Sequence, residues 1–238
     1  MAEEAKFRRA LVLAAHPDDP EFGCGGTIAK WAQDGVAVAF CLCTNGNKGT
    51  PAAEMSPLEL TRTRYDEQRA AADVLGVGEV MFLDNNDAEL TVSLDFRRQV
   101  TRVIRQFRPD AVFTHDPRPI IHGNRFLNHP DHRATGQTVL DAIYPTARDP
   151  LNFPEQFAEG LLPHKVRHIY LFGTDDANEW VDIADTLETK VEALKRHRTQ
   201  MHEPEKLLDR LKEWAARMAE GHDLQYAEAF CHVEMMGF

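Results

Sequence analysis

The chain has 238 residues, 43% hydrophobic and 27% charged, with a formal net charge of -11. That size predicts one domain over 1–238 with a sizeable core. The acidic balance, with no basic tract, argues against a nucleic-acid partner and against an anionic membrane surface.

The opening "MAEEAKFRRALVLAAH" puts acids before bases and carries only a short apolar run, so it does not read as a signal peptide. No stretch reaches the roughly 18 apolar residues of a spanning helix. The four cysteines, Cys24, Cys41, Cys43 and Cys231, form no C-x-x-C pair. Cys41 and Cys43 share one face of a strand, which suits buried free thiols. These features together predict a cytoplasmic protein.

Arg9–Ala15 reads as a buried strand, and a helix follows from about Gly26 to Gly35. Val36–Cys43 is a second buried strand, and Thr44–Pro57 a loop rich in turn residues. Leu58–Leu75 is predicted helical, closed by Gly76. Glu79–Asp84 is a third strand, Leu94–Phe107 a helix, and Asp110–His115 a fourth strand. Later, His168–Thr174 reads as a strand, and Asp185–Gln200 and Pro204–Ala219 as helices. Tyr226–Glu234 reads as a last strand or a surface segment. Near-continuous apolar strands alternating with helices predict a doubly wound, mostly parallel α/β sheet with helices on both faces, Rossmann-like and single-domain.

Ligands of such sheets bind beyond the carboxyl ends of the strands. Three polar clusters fall there: His16–Glu21, Thr44–Gly49 and His115–His132. The first, followed by Gly23-Cys24-Gly25-Gly26, has three readings. A phosphate-binding turn lacks its third glycine and has two carboxylates in the way. A capped helix start explains the acids and the glycines without any ligand. A metal site gains weight from "NHPDHRATG" (Asn128–Gly136), which repeats His-Pro-Asp and adds His132. Pro130 suits the first position of a helix, and a helix N-terminus favours neutral imidazole, the form that binds metal. One histidine and one carboxylate from the first loop, with one histidine from the second, make a three-ligand N/O site with an open position for water.

At these two motifs the sequence resembles the LmbE/PIG-L family of zinc-dependent N-deacetylases. Ala15–Asp19 reads A-H-P-D-D and His129–His132 reads H-P-D-H. "RYDE" (Arg64–Glu67) leading to Leu75-Gly-Val77, "KVEALKRHRTQ" (Lys190–Gln200) and "YAEAF" (Tyr226–Phe230) extend the likeness. The resemblance implies Zn²⁺, or another divalent ion, on His16, Asp19 and His132. It implies Asp18 as general base, His129 as oxyanion stabiliser or proton donor, and Asp131 as a carboxylate orienting a histidine. It also implies Arg64 facing the sugar, Tyr226 at the pocket, and an N-acetylglucosamine-type substrate. Trimers or hexamers are implied for the assembly. Asn45, beside Lys48, is a pocket candidate or a plain Asn-Gly turn, and His197 is a substrate-binding candidate or a packed histidine. Other readings are a zinc amidase for a thiol conjugate or an acylated antibiotic sugar, and a non-catalytic sugar- or nucleotide-binding module. Glu21 follows Pro20 rather than the second aspartate, and the connection Asp116–His132 is long.

Overall fold

The computed structural model describes residues 7–49 and 55–236. The start of the N-terminal stretch and the middle of the Thr44–Pro57 loop lie outside the described residues. In chain order the elements begin β1 (Arg9–Ala14), α1 (Asp19–Gln33), β2 (Ala37–Thr44), α2 (Pro57–Leu75), β3 (Glu79–Asn85) and α3 (Leu94–Phe107). They continue with β4 (Ala111–His115), β5 (Ile121–His122), β6 (Phe126–Leu127), α4 (Pro130–Ile143) and α5 (Pro154–Ala158). The last are β7 (His168–Phe172), β8 (Glu179–Asp182), α6 (Leu187–Leu194), α7 (Leu207–Ala219) and β9 (Ala227–Glu234).

One seven-stranded sheet has the order β3-β2-β1-β4-β7-β9-β8. The first five pair in parallel, while β9 runs antiparallel between β7 and β8. Strand alternation sorts the core into two layers. Ala10, Val12 and Ala14 pack with Phe40, Ile28 and Ala71 on the α1/α2 side. Leu11 and Leu13 pack with Cys41, Val100 and Val139 on the α3/α4 side. Each fully buried valine, leucine or isoleucine side chain among them contributes about 1.5–3 kcal/mol. Cys41 and Cys43 lie in the same layer, and all four cysteines are buried and free. Among the described residues, no helix is long and apolar enough to cross a membrane.

Several elements depart from the expectation. Helix α1 starts at Asp19, seven residues before Gly26, because Pro20 sits in its first turn and Asp19 and Glu21 suit the positive helix end. The glycines therefore lie within α1, around a break at Cys24 (φ -149°, ψ 15°), rather than ahead of it. They let the helix approach closely: a Cβ on Gly26 would stand 2.8 Å from Ile183 Cβ. The Asp185–Gln200 helix is shorter, Leu187–Leu194, and gives way to a turn. The short strands β5, β6 and β8 carried too few residues to show a pattern.

The break in α1 is supported from the far end of the chain. Glu228, on β9, accepts from Gly26 N (2.9 Å) and Thr27 N (2.7 Å), the backbone donors that the break exposes. Lys190 from α6 neutralises it at 2.6 Å, and both side chains are almost fully buried.

Candidate active site

The first cluster leaves the end of β1, and the second sits where β4 hands over to α4. Adjacency of β1 and β4 in the sheet brings the two together. His129 is the N-cap of α4, so Asp131 and His132 fall on its first turn.

Donor atoms of three residues converge. His16 Nδ1 lies 3.3 Å from His132 Nε2 and 3.4 Å from Asp19 Oδ2, and His132 Nε2 lies 3.2 Å from Asp19 Oδ1. Bonds of about 2.0–2.1 Å to a tetrahedral ion place its ligands about 3.3–3.4 Å apart. The spacing therefore fits a zinc-sized cation. Charge points the same way. Burial disfavours a charged His16, yet hydrogen bonds to Asp131, Asp19 and Asp87 hold its pKa well above the usual value. A pocket with this many carboxylates calls for positive charge.

The other ring nitrogens sort the remaining histidines. His16 Nε2 faces Asp131 Oδ2 (3.1 Å) and Asp87 Oδ1 (3.2 Å), which fixes its proton there and frees Nδ1 for a metal. Asp131 is held by Ala88 N (2.7 Å) and Leu90 N (3.2 Å). His115 Nε2 accepts from Ala15 N at 3.1 Å, so its lone pair is already used. Burial, with His132 beside it, pushes the His115 pKa down to about 4. His115 thus stays neutral, its ring stacked on His132 at 4.1 Å. His129 Nδ1 accepts from Asp131 N at 3.2 Å, so in its neutral form Nε2 carries the hydrogen. Burial, then His16 and His132, lower its pKa.

Asp18 occupies the left-handed region (φ 88°) ahead of α1, a conformation that is costly for a side-chain-bearing residue. Burial and the neighbouring Asp19 raise its carboxyl pKa well above the ordinary range. The cleft opens into a cavity of about 850 Å³. Its lining includes Asp19, His115, His129 and His132 together with Phe172, Trp180, Trp214 and Met218.

The four substrate-binding candidates lie away from the cavity lining. Arg64 is buried beneath the loop after β2 and donates to Gly46 O (2.6 Å), Lys48 O (2.8 Å) and Gly49 O (3.3 Å). Asn45 bonds Asp84 and Asn47 N. Tyr226 packs on the α6/α7 cluster. His197 is fully buried with its Nε2 3.3 Å from Glu21. None of the four lines the cavity. Asp87, by contrast, was missed. It stands after β3, at a strand end as eligible as the other three, and lies 3.7 Å from Arg64 as well as against His16. Trp180 and Trp214 gave no signal, since they reach the cavity only through the β8–β9 pairing and the packing of α7.

A mostly parallel α/β sheet with an imidazole–carboxylate cluster beyond its strand ends defines a protein whose cleft could hold a metal ion. Residues 11–143 match the family described as PIG-L, GlcNAc-PI de-N-acetylase, and the chain belongs to that family. It is similar to the diacetylchitobiose deacetylase of Thermococcus kodakarensis, 35% identical over 196 residues, covering 82% of this chain and 71% of that one. It is also similar to the 1D-myo-inositol 2-acetamido-2-deoxy-alpha-D-glucopyranoside deacetylase of Rhodococcus erythropolis, 27% identical, covering 83% and 82%. Among solved structures it resembles the N,N'-diacetylchitobiose deacetylase of Pyrococcus horikoshii in complex with its inhibitor MPG. There the TM-score is 0.89 at 31% identity, covering 98% of this chain and 87% of that one.

Proposed function

We propose that the chain is a zinc-dependent hydrolase that removes the N-acetyl group from an N-acetylglucosamine-type substrate. The observation that carries this reading is the mutual 3.2–3.4 Å spacing of His16, His132 and Asp19, with a second carboxylate, Asp18, next in the chain. The deacetylase activity of the similar proteins gives the reaction class.

His16, Asp19 and His132 hold the cation. When bound, it supplies Lewis acidity, polarising the amide carbonyl and acidifying water. Asp18 takes the proton of the attacking water, its raised pKa bringing it nearer the working pH. His129 presents Nε2–H to the oxygen on which charge develops, a contact of the kind worth about 3–4 kcal/mol. The proton held by Asp18 then passes to the amine nitrogen as the C–N bond breaks, giving acetate and the free amine. Asp131 keeps His16 in the tautomer that ligates. Two tryptophans in the cavity lining favour a substrate that carries a second ring beside the acetamido sugar.

Acetate release from N-acetylglucosamine and N,N'-diacetylchitobiose, with and without added Zn²⁺, tests the reading. Asp18→Asn is expected to keep its metal and lose about 10²–10⁴-fold in turnover. Asp19→Ala is expected to lose the metal. A wild-type chain that binds no metal and releases no acetate overturns the proposal.

A further inference from the structure

We propose that Gln200 is a positioning residue for Asp18, and that the buried Glu21–His197 pair holds Gln200 in place. The inference rests on the reading of Asp18 as proton acceptor.

Gln200 Nε2 donates to Asp18 Oδ2 at 2.8 Å and to Pro17 O at 3.0 Å. Both partners are acceptors, so only one orientation of the amide works; the flipped one would aim an oxygen at two oxygens. The other amide atom, Oε1, is buried without a hydrogen bond. Leaving it so is costly, and the two bonds made by Nε2 are what the arrangement gains. One oxygen of Asp18 is thereby tied down, and the other is left to face a proton.

The contacts close into a ring. Asp18 N donates to Gln68 Oε1 (3.1 Å), and Gln68 Nε2 donates to Glu21 Oε1 (2.7 Å). Glu21 Oε2 pairs with His197 at 3.3 Å. His197 O then accepts from Gln200 N (3.0 Å) and Met201 N (2.9 Å), forming the turn that presents Gln200. Thr199, inside that turn, is bound to Glu67 through its backbone N (2.9 Å) and its hydroxyl (2.6 Å). Glu67 and Gln68 are neighbours on α2. The loop before α1, the helix α2 and the turn after α6 thus meet on one residue, Asp18, α2 at its backbone and the turn at its carboxylate. A side chain held from both its backbone and its carboxylate loses the rotation that would turn it from a reacting water. This also gives His197 a place: it acts through Gln200 rather than on the substrate.

Gln200→Met tests this, because it keeps length and approximate volume while removing both donors. Metal content, melting temperature, kcat and KM are measured on the full, metal-loaded chain with N,N'-diacetylchitobiose. Loss of a hydrogen bond to a charged group predicts a fall in kcat of about 10- to 100-fold. KM, metal content and melting temperature are expected to stay at wild-type values. Gln200→Asn, which keeps the amide but withdraws it by one methylene, is expected to show the same kcat loss, and it stands in should the methionine variant fold poorly. In an Asp18→Asn background Gln200→Met is expected to cost nothing further. Unchanged kcat in both Gln200 variants overturns the inference, and so does a full second loss on top of Asp18→Asn. If Asp18→Asn alone turns over like wild type, the role of Asp18 is what fails.

Discussion

Gly23 is one helical turn from Asp19, on the same face of α1. A Cβ added there would lie 2.6 Å from Phe172 Cδ2, 2.7 Å from Cγ and 2.9 Å from Cε2. Carbon atoms settle at about 3.5–4.0 Å, so one partner must retreat by about 1 Å. The ring cannot do so freely. Phe172 is buried and packs edge-on against His115 at 4.6 Å. If α1 moves instead, Asp19 moves with it, and about 1 Å at a ligand is enough to cost about 10²-fold in rate. Within a helix, Gly→Ala normally stabilises by up to about 1 kcal/mol; here overpacking, at about 1–3 kcal/mol, opposes it. The expectation for Gly23→Ala is a net loss of about 1–2 kcal/mol, or a melting temperature lower by about 2–8 °C. Turnover falls as well, with weaker metal retention if the helix is what yields. Thermal denaturation and metal analysis after dialysis read the two effects separately. A Gly23→Ala chain that melts at or above wild type with full activity refutes the reasoning.

Lys190→Met strands the Glu228 carboxylate in the core with only its two backbone donors, and is expected to cost about 3–5 kcal/mol in urea denaturation. Adding Glu228→Gln should recover part of that loss; a single variant within 1 kcal/mol of wild type would show the pair to be dispensable. The cysteines give a chemical check. Burial raises the pKa of Cys24 and Cys41 well above normal and pushes Cys43 up to about 12. A thiol reagent at pH 8 is therefore expected to leave these three unmodified in the native chain and to label all four cysteines after denaturation.

The alternation of apolar runs made the parallel sheet legible, since β1, β2 and β4 are buried on both faces and leave no amphipathic ambiguity. Helices α2 and α3 were legible from their own runs, with Gly76 closing α2, and the start of α4 from Pro130. The histidine and aspartate motifs could be paired because both follow strands of one sheet. What sequence could not show is which way a polar side chain turns after the chain folds. Arg64 and His197 have the chemistry of ligand-binding groups, and packing directs both into the protein, onto loop carbonyls and Glu21. Asp87 has no motif of its own and acquires its place from the end of β3. The antiparallel insertion of β9 depends on pairing with β7 (His168↔Glu234) and with β8 (Asp182↔Ala227), far apart in the chain and beyond any local pattern.

That insertion bears on how the molecule comes to exist during synthesis. His16, Asp19 and His132 are all available once α4 has been made, well before β9 emerges. Until residues 227–234 arrive, β7 has an open edge on that side, β8 has no neighbour, and the second half of α1 lacks the carboxylate of Glu228. A nascent chain would thus carry the proposed metal ligands while still presenting an unpaired strand to other chains, the condition in which folding intermediates aggregate. Residues 227–234 then join β7 to the edge strand β8.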